Sequence, residues 1–102
     1  IALVTDEVPI VALVPDDALY EKMISNIEEI RARNGKVIAV ATEGNQAIKK
    51  HCDDVLYVPK TDPLLYPFLI ALPLQLLAYY IADLRHCDID KPRNLAKSVT
   101  VE

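Results

Sequence analysis

Lys97 stands in the closing stretch PRNLAKSVTVE, Pro92 to Glu102, among the small or apolar neighbours Leu95, Ala96, Ser98 and Val99. A lysine amine attacks a carbonyl only when desolvation or a nearby cation keeps it uncharged. Folded back against a protein surface, this tail would partly bury the amine and hold it still. Left in solvent, the same lysine is an ordinary charge, as most tail lysines are.

The other candidates are weaker. Two adjacent pairs, His51-Cys52 and His86-Cys87, invite a zinc reading. Zinc motifs space paired ligands about two to four residues apart, and each pair here falls at an expected helix end, where histidine caps. No metal is expected. TEGN, Thr42 to Asn45, leaves the carboxyl end of a strand and opens a helix, the place where α/β proteins bind ligands. A single glycine and the anionic Glu43 make it an ordinary strand-to-helix turn. EEIRAR sets Glu28 and Glu29 beside Arg31 and Arg33, a solvated face of local ion pairs. Asp88 and Asp90 flank Ile89 either as paired carboxylates or as turn residues. No nucleophile–base pair, glycine-rich phosphate loop or aromatic-basic interleaving accompanies them.

These residues need elements to carry them. IVALV between Pro9 and Pro15, VIAVAT after Lys36, and DVLYV before Pro59 are continuous apolar runs rich in β-branched residues, the pattern of strands covered on both faces. Between the first two, Ala18 to Arg33 has helical spacing, with Tyr20, Met23, Ile24, Ile27 and Ile30 in one stripe. Asp16 and Asp17 offer an N-cap, and Asn34-Gly35 a stop. GNQAIKKHC reads as a second, short helix. Alternating strands and helices imply parallel pairing and an α/β three-layer sandwich, here thin enough that its sheet wants more strands.

From Asp62 to Cys87 the chain is strongly apolar, and Leu64 to Ala82 has the length of a membrane span, for which ~20 residues suffice. Pro67, Pro73, Gln75 and the paired Tyr79 and Tyr80 argue instead for a soluble, largely buried helix kinked at its prolines. The charge balance, 11 basic against 15 acidic residues and a net −4, argues against nucleic acid or an anionic membrane as partner. With 102 residues the chain makes one domain, and its two cysteines are expected as free thiols in a reducing, cytoplasmic setting. The opening IALV, lacking a methionine or polar lead, is read as a truncated or proteolysed start.

PLQLLAY, Pro73 to Tyr79, and DIDKPRNLAKSVTVE, Asp88 to Glu102, closely resemble the carboxyl end of the glutamine-dependent fructose-6-phosphate aminotransferases (isomerising). SNIEEIRARNGKV, Ser25 to Val37, resembles a helix and turn of that family's last sugar-isomerase (SIS) domain. The resemblance implies a flavodoxin-like SIS domain with a parallel sheet, present in part: residues 1–87 as the distal part of the second SIS domain, 88–102 as a catalytic tail. It implies an enzyme making glucosamine 6-phosphate from fructose 6-phosphate and glutamine-derived ammonia, without metal or organic cofactor. Lys97 then matches the lysine that opens the sugar and forms a Schiff base. Ala96 would meet the sugar through its backbone, and Leu95 and Val99 match apolar positions near the ammonia channel. The implied partners are a glutaminase domain, a first SIS domain and a second copy in a homodimer.

The chain departs from the family pattern as well. The family's enolisation glutamate, the histidine supplied across the dimer and the phosphate-binding loops precede the positions present here. Tyr80 stands where members often carry histidine, and His86 where a glycine commonly ends the long helix. The piece alone is expected to be inactive. The alternative is a non-catalytic, sugar-phosphate-binding or dimerising SIS module, which has no need of a lysine-bearing arm.

Overall fold

The computed structural model describes residues 1–91. Three strands form one parallel sheet in the order β1 (Ile10–Val14), β2 (Val37–Thr42), β3 (Asp54–Val58). Ile10 lies opposite Val37 and Val14 opposite Ala41 in one ladder; Ile38 lies opposite Asp54 and Thr42 opposite Val58 in the other. Helix α1 (Tyr20–Arg31) joins β1 to β2, and helix α2 (Tyr66–Leu84) follows β3. The expected α/β class with a parallel sheet is what the chain adopts.

The centre of the core is β2, whose residues are buried except for the half-buried Ile38. Side chains alternate across a strand, so Ala39 and Ala41 face one way and Val40 and Thr42 the other. The first face packs with Ala12, Val14, Ile27 and Ile48, and the α1 stripe Tyr20, Met23, Ile24 and Ile30 closes over it. That stripe is the one its spacing predicts. Ile27, completely buried, is the α1 residue seated deepest in this core. On the second face Val40, Thr42, Val58, Tyr66 and Ile70 are buried, while Leu13 and Leu56 stay exposed.

Local chemistry departs from the expected caps in two places. Asp17 does not cap α1; its carboxylate accepts the Leu19 N–H at 2.8 Å, making a turn one step earlier, and Leu19 occupies the cap position without a side-chain bond. At the other end the left-handed residue is Asn34, φ 60°, not Gly35. The Asn34 N–H reaches the Arg31 carbonyl and the Gly35 N–H the Ile30 carbonyl, closing the helix as a Schellman motif. Gly35 is needed for closeness instead: a Cβ there would sit 2.6 Å from Val4 Cγ1 and 2.7 Å from Ile30 Cγ2.

The expected short helix is a single 3₁₀ turn, Ala47–Lys50. One turn of α-helix makes too few hydrogen bonds to offset its own ordering, so a segment this short takes whatever its neighbours permit. Here the Asn45 carboxamide accepts the Ile48 N–H at 3.2 Å, and the Asp53 carboxylate holds the Val37 N–H at 2.7 Å where β2 begins.

The chain divides into two compact units at Ile70/Ala71, within α2. The expectation of a largely buried α2 is not met among the described residues. Only Tyr66 and Ile70 are buried, and Leu72, Leu76 and Tyr80 are each more than half exposed. A helix apolar all round needs neighbours on several sides to be buried. From Pro63 to Leu84 the helical stretch is long and apolar enough to cross a membrane by length and composition. It runs unbroken through Pro73, while Pro67 sits in the first turn, where a missing N–H costs nothing.

His86 closes α2 in the left-handed region at φ 53°, with its N–H on the Asp83 carbonyl and the Cys87 N–H on the Ala82 carbonyl. A residue with a Cβ is strained there and glycine is not. His86→Gly is therefore expected to raise the thermal midpoint, by up to about 1 kcal/mol of stability once glycine's looser unfolded state is counted. An unchanged or lower midpoint would show that the imidazole contributes something glycine cannot.

Candidate functional site

A parallel sheet gathers the ends of its strands, and its loops, on one edge. Here Asp16 follows β1, Thr42 ends β2 and leads into Glu43-Gly44-Asn45, and Lys60 follows β3. With Tyr20 and Ala47 they line a cleft of about 480 Å³. That is the edge on which open α/β sheets bind their ligands, and the volume lies within the usual range for a small molecule.

The cleft is held by buried hydrogen bonds more than by charge. Thr42, only 2% exposed, takes the Asp16 N–H on its Oγ1 at 2.9 Å and lies 3.1 Å from the Tyr66 hydroxyl. Asn45 donates from Nδ2 to the Tyr20 hydroxyl at 3.0 Å, and its backbone carbonyl accepts the Tyr57 hydroxyl at 3.0 Å. These bonds tie the turn to α1, β3 and α2 at once, so its shape is set before any ligand arrives. Lys60 Nζ lies 3.4 Å from an Asp16 carboxylate oxygen. Both groups are well exposed, so the pair adds little stability. Gly44 adopts φ 90°, which the turn requires and a side chain would resist.

A second cleft, about 350 Å³, is lined by Lys49, Cys52, Asp53, Asp54, Val55 and Tyr57. Burial pushes the Cys52 thiol up from its ordinary pKa, and the charge of Asp53 adds to the push. Its S–H donates to the Ile48 carbonyl at 3.2 Å. A protonated, hydrogen-bonded thiol is a core group and a poor nucleophile at neutral pH. Cys87 is exposed, and both thiols are free.

The remaining candidates divide as follows. His51 does not cap a helix dipole; its Nδ1 meets the Glu28 carboxylate, binding the end of the 3₁₀ turn to α1. Glu28 therefore pairs with His51 and not with Arg31, while Arg33 donates to the Glu29 backbone carbonyl at 2.9 Å. Asp88 is a turn residue whose Oδ1 accepts the N–H groups of Asp90 and Lys91 at 3.1 and 2.8 Å. No group of three His, Cys, Asp or Glu among the described residues is placed to hold a metal ion. Lys97, Ala96, Leu95 and Val99 lie outside the described residues. The sequence marks the TEGN turn as a ligand-binding position, Asp16 only as a cap, Tyr20 only as part of a core stripe and Lys60 not at all. Their signal was position, each lying just past a strand or at a helix start.

The SIS domain family matches residues 1–84. Over all 102 residues the chain is 58% identical to glutamine–fructose-6-phosphate aminotransferase (isomerizing) of Thermus thermophilus and 52% identical to the enzyme of that name from Bacteroides thetaiotaomicron. It spans 17% of the length of each of these relatives. Among solved structures it resembles the C-terminal domain of glucosamine-fructose-6-phosphate aminotransferase from Francisella tularensis, with TM-score 0.76 and 36% identity. That likeness covers 88% of this chain and 26% of the other.

Proposed function

The chain belongs to the SIS domain family, and from that membership we propose that it is the carboxyl-terminal part of an enzyme converting fructose 6-phosphate and glutamine to glucosamine 6-phosphate. Residues 1–87 form the distal part of its second SIS domain and 88–102 its tail. The observation that carries this reading is the reach of the sequence likeness, which includes the tail segment with Lys97 and does not stop at the domain.

In this reading the neutral Lys97 amine adds to the C2 carbonyl of the opened sugar. The carbinolamine loses water, and a protonated Schiff base forms. Ammonia released from glutamine then attacks the same carbon and Lys97 leaves as the amine. An iminium is open to hydrolysis, so the tail must keep water out, a task suited to Leu95 and Val99. Ala96 would contact the sugar through its backbone. Covalent catalysis by a lysine needs no metal or organic cofactor.

The glutaminase domain, the first SIS domain and a second copy of the chain are the proposed partners, in the cytoplasm. The apolar surface of α2, bare among the described residues, suits burial within such a larger body. It also fits the alternative reading, a dimerising SIS module without chemistry of its own. Borohydride reduction of the complete protein with fructose 6-phosphate separates the two. A stable adduct on Lys97, located by peptide mass spectrometry, is expected; an adduct elsewhere, or none, would remove Lys97 from the mechanism.

A further inference from the structure

Asn34, where α1 stops, is the asparagine of this chain that precedes a glycine; Asn26, Asn45 and Asn94 precede Ile27, Gln46 and Leu95. Asparagine is thermolabile because the backbone nitrogen of the next residue can attack its side-chain carbonyl carbon. A side chain on that next residue hinders the approach, and glycine has none. The attack forms a C–N bond and closes a succinimide ring, while the carboxamide nitrogen leaves as ammonia and takes the backbone proton with it. Water then opens the ring at either carbonyl. One opening gives aspartate. The other gives isoaspartate, in which the main chain runs through the former side chain and is one carbon longer.

The fold leaves the carboxamide in reach of water and withholds the reacting nitrogen. Asn34 is exposed, whereas Gly35 is buried against Val4 and Ile30. The Gly35 N–H is spent on the Ile30 carbonyl at 3.1 Å, one of the bonds that close the α1 terminus. That nitrogen must lose its proton to attack, and a buried N–H already donated meets no base from solvent. It becomes a nucleophile only when the last turn of α1 opens. The residues that follow are held too: the Lys36 carbonyl accepts the Ile10 N–H at 2.8 Å, and the Val37 N–H donates to the Asp53 carboxylate at 2.7 Å. An added main-chain atom between the end of α1 and the start of β2 displaces Gly35, which has no slack. Even a Cβ on it would lie 2.6 Å from Val4 Cγ1.

We propose that Asn34-Gly35 is a site of spontaneous deamidation gated by the α1 terminus. Closed, the turn blocks succinimide formation; open, the reaction proceeds, and the isoaspartate product keeps the turn from closing as before. Modification at Asn34 therefore accumulates in proportion to the time this turn spends open. Neither the tail nor the cleft takes part, so the proposal stands or falls separately from the covalent chemistry of Lys97.

The test ages the complete protein in mildly alkaline buffer, with and without enough guanidinium chloride to unfold it, and then cleaves it after glutamate. Residues 30–43 leave as one peptide, in which deamidation is read by mass and isoaspartate by enzymatic methylation. The unfolded chain is expected to gain both at Asn34, and the native protein at least about tenfold more slowly. Ile30→Ala removes the side chain packed over Gly35 but keeps the carbonyl that accepts its N–H, and should speed the native reaction several-fold. Should Ile30→Ala prove poorly folded by circular dichroism, Val4→Ala makes the same comparison from the other wall. The isoaspartate form, separated by ion exchange, should melt below the parent, while Asn34→Asp, which keeps the main-chain length, should melt close to it. No product at Asn34 in the unfolded chain would overturn the site. A native rate within about twofold of the unfolded one would overturn the gate. Equal melting of the isoaspartate form and Asn34→Asp would overturn the claim that the turn fails to reclose.

Discussion

Lys97→Ala in the complete protein is expected to lower the rate of glucosamine 6-phosphate formation by on the order of a thousandfold or more, with glutamine hydrolysis retained. The size follows from the proposed role. Without the amine no Schiff base forms, and ammonia must attack a less electrophilic carbonyl with no covalent intermediate to divide the barrier. The split between the two activities is the informative part. A lysine that served only to hold the tail in place would change KM and kcat together and would be partly rescued by arginine, which keeps charge and length. A Schiff-base lysine is not rescued by arginine, whose guanidinium stays protonated at any pH the protein survives. Measured synthesis within about tenfold of the parent would end the covalent reading. The SIS scaffold would then remain, with the dimerising module as its best description.

The second large effect concerns stability. Ile27 is the one α1 residue with no exposed surface, seated against the alanines of β2. Small residues in the sheet leave room that only a large side chain from the helix fills. Ile27→Ala should therefore cost about 2–5 kcal/mol, since it forfeits the transfer of buried methyl groups and leaves a cavity that β2 cannot close. Ile27→Val should cost about 0.5–1.5 kcal/mol. The measurement is denaturant unfolding of the two variants beside the parent. A loss below about 1 kcal/mol for alanine would mean that α1 slides inward and that the helix–sheet seam is soft. By contrast Glu28, one residue on and exposed, pairs with His51 across the surface, and its removal should be felt far less.

The strands were legible because their signal is local. Runs such as VIAVAT can be satisfied only by burial on both faces, and a parallel sheet between helices provides that. The α1 stripe was legible for the same reason, its period being intrinsic to the helix. The turns were harder. Asp17, Asn34 and the 3₁₀ segment each adopt a form differing by a small energy from the one expected, and tertiary neighbours choose between such forms. Gly35 illustrates this: the sequence marks it as a helix stop, but what demands glycine there is the approach of Val4 and Ile30. The cleft was legible only in its TEGN turn. Asp16, Tyr20 and Lys60 come from three different connections, and no spacing along the chain announces that they meet.

The sequence by itself determined the α/β class, the parallel pairing of the strands, the face of α1 that enters the core, and the family. Each rests on periodicity, or on strings of residues whose meaning survives without coordinates. Only the tertiary structure decided that α2 leaves most of its apolar surface bare after Ile70 and that a cleft forms beside Thr42. Burial and convergence depend on what lies across space, and side chains distant along the chain must first be brought together before either exists.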